Sequence, residues 1–502
     1  MSAPNMENVE QVDVLVVGAG NAALSAALAA KEAGATSVKV IERAPEALRG
    51  GNSRFTGGMV RFAYDNVEQL REVATDMSDD EAANADFGTY TADQFSQDME
   101  RVTQYRADPD LAALLVDRSR ETLAWQASHG VRFIAAYGHQ AYKVDGRFVF
   151  WGGLTLQASG GGPGLVQAMV DAVEKQGIPI QYATRGESLI EEDGVVRGVV
   201  TRQGGKRIPI RANAVVLASG GFQSNAEWRT RYLGPGWDLA KVRGTRYNTG
   251  DGIQMAMDAG AVPWGHWSGG HAVAWDRNAP DFGDLAVGDA FQKHSYPLGI
   301  MVNTTGQRFV DEGADFRNYT YAKYGHIVLE QPQQVAWQVF DGSVLELLRD
   351  EYRIRQATRV RANSIEELAA KMDDVNSEAF VQTVQEFNAA VQRDVTFNPA
   401  IKDGRGTPGL DVPKTNWAVA LENPPYEAYQ VTCGLTFTFG GLKITPQGQV
   451  INVDDEPMPG LYAAGEIVGG LFYFNYPGGS GLTSGAVFGR IAGTSAAMAT
   501  AT

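Results

Sequence analysis

An α/β fold, interrupted by an inserted α+β domain, is the architecture that the sequence predicts. Residues 13–17 and 38–41 are short apolar runs, and a glycine turn followed by a helix-forming segment connects them. This is the pattern of a βαβ unit. Between about 270 and 430 the composition changes, with more aromatic residues and polar strands. From Gly460 the chain returns to a pattern of strand, glycine turn and helix. We therefore expect the first domain to be discontinuous.

The βαβ unit at residues 12–42 predicts a Rossmann-like dinucleotide site. Its turn, Gly18-Ala19-Gly20-Asn21-Ala22-Ala23, opens a helix predicted over 21–33. Two glycines let the backbone approach a pyrophosphate, whose charge would lie against the helix amino terminus. Glu42 follows Gly20 by twenty-two residues, about the spacing at which an acidic side chain accepts hydrogen bonds from ribose hydroxyls. An adenine dinucleotide without a 2′-phosphate is the expected ligand, and a turn that only packs helix on sheet is the alternative.

The length of 502 residues favours two domains over a single core. We predict a nucleotide-binding domain formed by residues 1–270 and 431–502, with a capping or substrate domain at 271–430. Other predicted elements are helices at about 108–125, 164–177, 364–372 and 377–393, and strands near 178–183, 194–202, 214–217 and 299–303.

Composition excludes several classes of function. A formal net charge of −16 argues against a nonspecific surface for nucleic acid or anionic membrane. The single cysteine, Cys433, excludes an internal disulfide and a thiolate metal cluster, and no metal site is predicted. Residues 1–11 lack a signal pattern, and no apolar run approaches about eighteen residues. The expectation is a cytoplasmic protein without a membrane span.

Three further glycine-rich segments offer backbone donors to a ligand. Residues 49–58 follow the βαβ unit and combine glycines with hydroxyl and amide side chains, which suits a diphosphate or a flavin ring, with a mobile turn as the alternative. Small-residue turns after a strand recur at 218–222 and 249–252. These turns are expected to meet the same cofactor.

Together these segments resemble one family. GAGNAA with Glu42, GGNS, ASGGF with TGDG, and GLYAAGEIVGG followed by NYPGGSGLTSGAVFGRIAG resemble the flavoproteins of the fumarate reductase and succinate dehydrogenase superfamily, over nearly the whole chain. The sequence looks most like the tricarballylate dehydrogenase branch and shares features with 3-ketosteroid dehydrogenases. The resemblance implies FAD, a FAD domain broken by a capping domain, and hydride passing between flavin N5 and a substrate carbon in the cleft between them.

The resemblance and the glycine-rich segments assign a set of FAD-binding residues. Members of the family that attach FAD covalently use a His near the loop at 49–58, where this chain has Arg54 and Phe55, so the resemblance implies noncovalent FAD. The predicted FAD contacts are Gly18, Gly20, Asn21, Ala22, Glu42, Arg43, Gly50, Gly51, Asn52, Ser53, Gly57, Gly58, Ala218, Gly220, Asp251, Gly465, Glu466, Ser480, Leu482 and Thr483.

The substrate site departs from the fumarate reductase pattern. The His and Arg that clamp a dicarboxylate in soluble fumarate reductases are replaced in the matching motifs at 436–441 and 475–480. Tyr476 stands in place of the Arg, as in ketosteroid dehydrogenases, and the resemblance implies a hydrogen bond from it to a substrate carbonyl. Such a phenol would stabilise developing enolate charge. The alternative is a tyrosine that only packs on the flavin edge.

Several residues are candidates for the general base. The slot that matches the proton-shuttle Arg of fumarate reductases falls on Phe316, with Arg317 one position later. Arg317 is expected to relay a proton, to bind a substrate carboxylate, or only to pair with an acid at the domain interface, and Tyr319 or Tyr321 is the alternative base. His271 matches within one position a substrate-contacting His of the family, with a structural role as the alternative.

The expected function is therefore a FAD-dependent desaturase that introduces a C=C bond α,β to a carbonyl, in a cyclic ketone or an oxo acid such as an oxocyclohexanecarboxylate. The expected partners are a small carbonyl or carboxylate substrate and an electron acceptor, either a quinone, O₂ or a redox protein. The alternatives are a tricarballylate dehydrogenase, an enoate reductase like the fumarate reductases, and a noncatalytic flavoprotein or electron-transfer subunit.

Overall fold

The computed structural model of the chain describes residues 10–500. The signal-sequence expectation lies almost wholly outside this range, because it depends on residues 1–11. Among the described helices, none has the length and apolar character needed to cross a bilayer. Within the same residues, no group of three or more His, Cys, Asp or Glu side chains is arranged to hold a metal ion.

The described residues form both strands and helices. The strands are β1 (Glu10–Val17), β2 (Val38–Ile41), β3 (Met59–Val60), β4 (Ala85–Asp86), β5 (Phe133–Ala135), β6 (Ala141–Val144), β7 (Arg147–Phe150), β8 (Leu156–Ala158), β9 (Ile180–Gln181), β10 (Arg185–Glu192), β11 (Val195–Gln203), β12 (Lys206–Leu217), β13 (Lys241–Val242), β14 (Pro263–Asp276), β15 (Ile300–Val302), β16 (Ala336–Phe340), β17 (Arg359–Ala362), β18 (Tyr426–Leu442), β19 (Gln449–Ile451) and β20 (Pro457–Ala463). The helices are α1 (Asn21–Glu32), α2 (Val67–Val73), α3 (Asp79–Asn84), α4 (Ala92–Val102), α5 (Pro109–Ser128), α6 (Tyr137–Gln140), α7 (Gly161–Lys175), α8 (Ala226–Trp228), α9 (Asp251–Asp258), α10 (Tyr321–Leu329), α11 (Ile365–Lys371), α12 (Ser377–Ala390) and α13 (Ser480–Thr500).

The first sheet has eight strands and takes them from both ends of the chain. Its order is β10-β11-β12-β1-β2-β9, and β20 pairs with β12 and β19. β1 lies between β12 and β2 and is parallel to both, and its apolar residues are buried because helices cover the sheet, which suits a continuous apolar run. Since β20 comes from the carboxyl-terminal part, the prediction of a discontinuous Rossmann-like domain is confirmed.

The second sheet carries the other wall of the site. It has six strands in the order β13-β18-β16-β15, with β14 and β17 also paired to β18. The long antiparallel pair of β14 and β18 has an irregularity between His266 and Gly270, directly before His271. The predicted boundaries at 270/271 and 430/431 fall inside β14 and β18, and the domain division stays a prediction.

The helices and strands that the sequence predicted lie within a few residues of observed elements, or inside longer ones. The helix that begins at Asp108-Pro109 does so because the Asp108 carboxylate accepts hydrogen bonds from the Asp110 and Leu111 backbone and Pro109 takes the first helical position. α13 packs on α1 through small residues, since a Cβ on Gly489 would lie 2.4 Å from the Ala22 carbonyl oxygen. This packing brings the amino ends of the two helices to the same region of the molecule.

Candidate active site

A channel runs over the carboxyl ends of β1 and β12 and past the amino terminus of α1. Its lining includes Gly18, Gly20, Glu42 and Ala218. α1 begins at Asn21 without a side-chain cap, so most backbone N–H groups of its first turn are available to a ligand. The Asn21 N–H donates a 3.1 Å hydrogen bond to the Ser53 hydroxyl.

Glu42 places a buried carboxylate at the end of β2. It accepts hydrogen bonds from the backbone N–H groups of Ala19 at 2.8 Å and Ala44 at 2.7 Å. Burial raises the pKa of this carboxyl, and those two backbone donors act in the other direction. The acid therefore holds the glycine turn in place while it lines the channel.

Two observations indicate that a polar ligand fits this channel. The Ser219 hydroxyl lines it and is buried without a hydrogen-bond partner, which is unfavourable unless a ligand supplies one. A Cβ on Gly20 would lie in ordinary van der Waals contact, 3.6 Å from the Gly50 carbonyl oxygen and the Ser53 hydroxyl, so the backbone of this turn lies close to the loop at 49–58 beside the expected pyrophosphate site. A ligand with phosphate and ribose groups satisfies both features.

The glycine-rich loop at 49–58 connects the channel to a second, deeper cleft. Asn52 and Ser53 line both cavities, and Gly57 lines the cleft. Asn52 is fixed by a hydrogen bond from the Thr245 N–H at 2.9 Å and by one that it donates to the Thr436 carbonyl. These hydrogen bonds hold the loop between the channel and the cleft.

Most of the predicted FAD contacts line these two cavities, and the exceptions support the loops around them. Gly50 and Gly58 have positive φ and pack against α7, since a Cβ would lie 2.7 Å from a Val166 methyl and 2.8 Å from Gly161. Lining is shown for Gly18, Gly20, Asn21, Ala22, Glu42, Arg43, Gly51, Asn52, Ser53, Gly57, Ala218, Gly220, Asp251, Gly465, Glu466 and Leu482, whereas Gly50, Gly58, Ser480 and Thr483 stand behind the surface.

Charged side chains mark both ends of the channel. At the outer end Arg43 pairs with Asp251, with 2.7 Å between Nη1 and Oδ2. At the inner end the Glu466 carboxylate lies where the two cavities meet and accepts a 3.0 Å hydrogen bond from the Thr438 backbone. Burial raises the pKa of Glu466 to about 7, although hydrogen bonds from the backbone of Thr438 and Gly221 act to lower it.

The cleft beyond Glu466 has an apolar wall with a few polar groups. Its apolar lining is Met59, Leu154, Phe437, Phe439, Val468, Leu471, Phe472 and Phe488. Its polar lining includes Arg243, His271, Asp289, Gln292, His294, Arg317, Tyr321 and Tyr476, together with His139, Gln140, Asn318, Thr436 and Thr438. An apolar cavity with few convergent polar groups is typical of a site for a small organic substrate.

A pair of tyrosines forms the polar centre of the cleft. The Tyr321 and Tyr476 hydroxyls are hydrogen-bonded to each other; the Tyr476 side chain is buried and that of Tyr321 is partly buried. Burial raises the pKa of both phenols. The charge of Arg243 acts against this increase in each case, and for Tyr476 so does the Gly479 backbone at the start of α13.

Two neutral histidines flank the pair. The His271 ring lies 4.9 Å from the Tyr321 ring and 4.7 Å from the Tyr476 ring, measured between centroids. Both of its nitrogens are buried without a partner. His294 lies 4.8 Å from Tyr321. Burial lowers the pKa of both imidazoles well below the ordinary range, and Arg243 adds to the effect, so neither supplies positive charge at neutral pH.

Arg243 is a cation whose charge acts on both tyrosines, and it is already paired. Its Nε and Nη2 contact the two Asp289 carboxylate oxygens at 2.6 and 2.7 Å, and Nη1 reaches the Thr436 hydroxyl at 3.3 Å. Asp289 therefore occupies the two guanidinium donors that a substrate carboxylate would otherwise bind. The sequence reasoning missed this pair, because neither residue lies in a glycine motif or a periodic segment.

Of the remaining residues predicted to be catalytic, Arg317 lines the cleft and Tyr319 does not. Arg317 lines the cleft and donates a hydrogen bond to the His139 carbonyl. Tyr319 lies outside the cleft, because its hydroxyl donates to the Asp98 carboxylate at 2.6 Å. The structure therefore brings together Tyr476, His271, Arg317 and Tyr321, while Tyr319 stands apart, and the catalytic roles stay predictions.

The channel starts at a βαβ turn and leads into an apolar cleft with a pair of phenols. This arrangement is typical of a flavin-dependent oxidoreductase. The chain belongs to the FAD binding domain family, whose model matches residues 13–482. The predictions of the superfamily, of FAD as cofactor and of an enzyme are confirmed.

The chain is similar to characterised flavoenzymes over almost its whole length. It is 29% identical over 507 residues to a fumarate reductase (cytochrome) of Shewanella frigidimarina, covering 99% of this chain and 78% of that protein. It is 29% identical over 578 residues to the 4-oxocyclohexanecarboxylate 2-dehydrogenase of Sinomonas cyclohexanicum, covering 96% and 93%. The structure of 3-ketosteroid-delta4-(5alpha)-dehydrogenase from Rhodococcus jostii RHA1 has the same fold, with a TM-score of 0.73, 24% identity and 99% of each chain covered.

These findings establish the general activity. The chain is a FAD-dependent oxidoreductase of the fumarate reductase family that acts on CH–CH groups or C=C bonds. This result supports the enzyme prediction over the noncatalytic alternative.

Proposed function

We propose that the enzyme desaturates a carbonyl compound at the α,β position, most suitably a cyclic ketone or oxo acid. The observation that carries this proposal is the Tyr321–Tyr476 hydroxyl pair at the polar centre of an apolar cleft. In a ketone the carbonyl oxygen and the α-carbon are about 2.4 Å apart from standard bond lengths. Two hydroxyls in contact are therefore spaced to address both atoms at once.

The two phenols are assigned different tasks. Tyr476 lies beside the Gly479 backbone at the amino end of α13, where the helix dipole favours negative charge. It donates a hydrogen bond to the carbonyl oxygen and stabilises the developing enolate. Tyr321, in its ionised form, takes the α-proton and becomes a phenol. Bound FAD, held by the channel residues, supplies the acceptor for hydride from the β-carbon.

The charges of the cleft favour a carbonyl over a di- or tricarboxylate. Arg243 is satisfied by Asp289, and burial lowers the pKa of His271 and His294, which favours their neutral forms. A tricarboxylate needs several free cations, and of the cleft residues only Arg317 has a guanidinium without a bidentate partner. The relationship to a 4-oxocyclohexanecarboxylate dehydrogenase supports the same choice.

Reduction of an enone or enoate is the second candidate, and one observation favours it. Because burial raises the pKa of both phenols, each is protonated at neutral pH and is ready to donate a proton. A protonated Tyr321 would deliver that proton to the α-carbon in the reductive direction. The physiological acceptor, a quinone, O₂ or a redox protein, stays a prediction.

A substrate panel separates these candidates. The FAD-loaded enzyme would be incubated with an artificial electron acceptor and, in turn, cyclohexanone, 4-oxocyclohexanecarboxylate, tricarballylate and succinate. Desaturated product from the ketones alone is the expected result. Turnover confined to tricarballylate or succinate would reject the ketone proposal. Fumarate and cyclohexenone with the reduced enzyme test the reductive direction.

The pH dependence identifies the base. Since burial holds the pKa of Tyr321 above its ordinary value of about 10, we expect ketone desaturation at saturating acceptor to rise about tenfold per pH unit from pH 6 to 9. A histidine base would instead give a plateau above its pKa. The measurement is kcat/KM against pH, with a Tyr321→Phe variant as the control that should lose the slope. A plateau beginning near pH 7 in the unmodified enzyme would contradict the assignment.

A further inference from the structure

A small cavity lies behind the cleft and shares two lining residues with it. His294 and Arg317 line both cavities, and Arg349 lines only the small one. The Arg317 guanidinium lies 5.5 Å from the Trp151 ring centre, and that of Arg349 lies 4.4 Å from the Tyr142 ring centre. Two buried guanidiniums thus face a common space with their planes supported by aromatic rings.

This cavity has more donors than acceptors. Arg349 is 8% exposed, and its Nη2 has no hydrogen-bond partner among residues 10–500, as is also true of Trp151 Nε1 and His294 Nε2. Arg349 Nη1 donates to the Gly138 and Ala141 carbonyls, so the unpartnered Nη2 is the group left for a ligand. Buried donors without partners are rare in proteins, and each requires an explanation.

It also has more positive than negative charge. The nearest carboxylate is Glu351, whose Oε1 is 3.9 Å from Arg317 Nη1, beyond hydrogen-bonding distance. Within residues 10–500 no carboxylate forms an ion pair with Arg349. Nearby Lys293 is matched by Asp276 at 3.5 Å. One buried positive charge therefore lacks a counterion.

From these contacts we infer that the substrate carries a carboxylate, which lies between Arg317 and Arg349 while the ketone meets the tyrosine pair. His294 connects the two regions, since it contacts Tyr321 on one side and lines the small cavity on the other. A substrate with the two groups on opposite sides of one ring suits this arrangement. The inference rests on the proposed function for the position of the ketone, and it names Arg349 as a specificity residue.

Binding of unreactive probes tests this inference independently of turnover. Cyclohexanecarboxylate has the carboxylate and no ketone, and cyclohexanecarboxamide is its neutral counterpart. Calorimetric titration of the FAD-loaded enzyme is expected to show about tenfold tighter binding of the carboxylate, as a charge-assisted hydrogen bond provides. Equal affinities would overturn the inference, and they would do so even if ketone turnover is found. Acetate that binds as tightly as cyclohexanecarboxylate would also overturn it, by showing a free-anion site.

Replacing Arg349 and replacing Glu351 are expected to change carboxylate affinity in opposite directions. Arg349→Gln should weaken cyclohexanecarboxylate about tenfold and leave the carboxamide unchanged, whereas Glu351→Gln should strengthen carboxylate binding because it removes a competing negative charge. Arg353→Gln, on the exposed side of the same segment with a surface partner in Asp350, should change neither. Equal weakening of both probes by Arg349→Gln would indicate lost packing and contradict the assignment. The comparison of probes in the unmodified enzyme remains decisive if that variant does not fold.

Discussion

Replacing either cleft tyrosine by phenylalanine is expected to abolish most ketone turnover while FAD stays bound. Tyr476→Phe removes the donor to the carbonyl oxygen, and loss of one such donor lowers kcat about 10²–10³-fold. Tyr321→Phe removes the proton acceptor, for which losses of about 10²–10⁴-fold are typical. The double variant should be little worse than the poorer single variant, because the two hydroxyls act as one hydrogen-bonded unit.

Two measurements separate the phenols from the flavin. The rate of flavin reduction after anaerobic mixing reports the whole reaction, and exchange of the ketone α-proton in D₂O, followed by NMR, reports proton transfer alone. Tyr321→Phe should slow both. Full retention of both rates in Tyr321→Phe and Tyr476→Phe would remove the pair from the mechanism.

Tyr324→Phe is the matched control. Tyr324 lies on α10, as Tyr321 does, and is buried, but its hydroxyl donates to the Asp311 carbonyl and it does not line the cleft. Its replacement should lower stability by about 1 kcal/mol and leave turnover intact. Tyr319→Phe then decides between the candidate bases, because a loss comparable to that of Tyr321→Phe would place the base at Tyr319.

Gly18→Ala is expected to eliminate FAD binding and to destabilise the fold. The residue has φ +113°, and a Cβ there would lie 2.4 Å from the Ala218 carbonyl oxygen and 3.2 Å from the Ser219 Cα. Strain from the backbone and overpacking together would lower the free energy of unfolding by about 2–5 kcal/mol. Relief of the clash separates the ends of β1 and β12, where the nucleotide channel lies. The measurements are flavin bound per chain and the unfolding temperature.

Gly34→Ala provides the comparison for this effect. Gly34 follows α1, the helix that Gly18 precedes, and it also has a positive φ, +102°. A Cβ there would meet nothing within 4 Å. This variant should lose about 1–2 kcal/mol of stability from backbone strain alone and retain its full FAD content. Normal FAD content in Gly18→Ala, or equal losses in the two variants, would show that close approach of β1 and β12 does not shape the channel.

The fold was largely predictable because its signals are local. The apolar run, glycine turn and helix at 12–42 are one contiguous pattern, and β1, α1 and β2 match it closely. The long strand β18 was not predicted, because glycines at 434, 440 and 441 interrupt its alternation of polar and apolar residues, and glycine weakens a strand signal. For the same reason the residue pattern gave no clear boundary between the two sheets.

The substrate site was less predictable because it is assembled from distant segments. Tyr476 and His271 were identified from motifs, but the contact between Tyr476 and Tyr321 depends on how α10 packs on β14 and β18. Phe316, which occupies the slot of the family's proton-shuttle Arg, stacks on Trp151 at 5.4 Å and lines the small cavity instead of the cleft. Pairing of Arg243 with Asp289 joins residues that share no sequence pattern.

Anaerobic mixing of the oxidised enzyme with 4-oxocyclohexanecarboxylate tests the central claim most directly. We expect the long-wavelength flavin absorbance to bleach and one equivalent of α,β-unsaturated ketone to form per flavin. A flavin that stays oxidised with this and other cyclic ketones, and bleaches with succinate or tricarballylate, would contradict it.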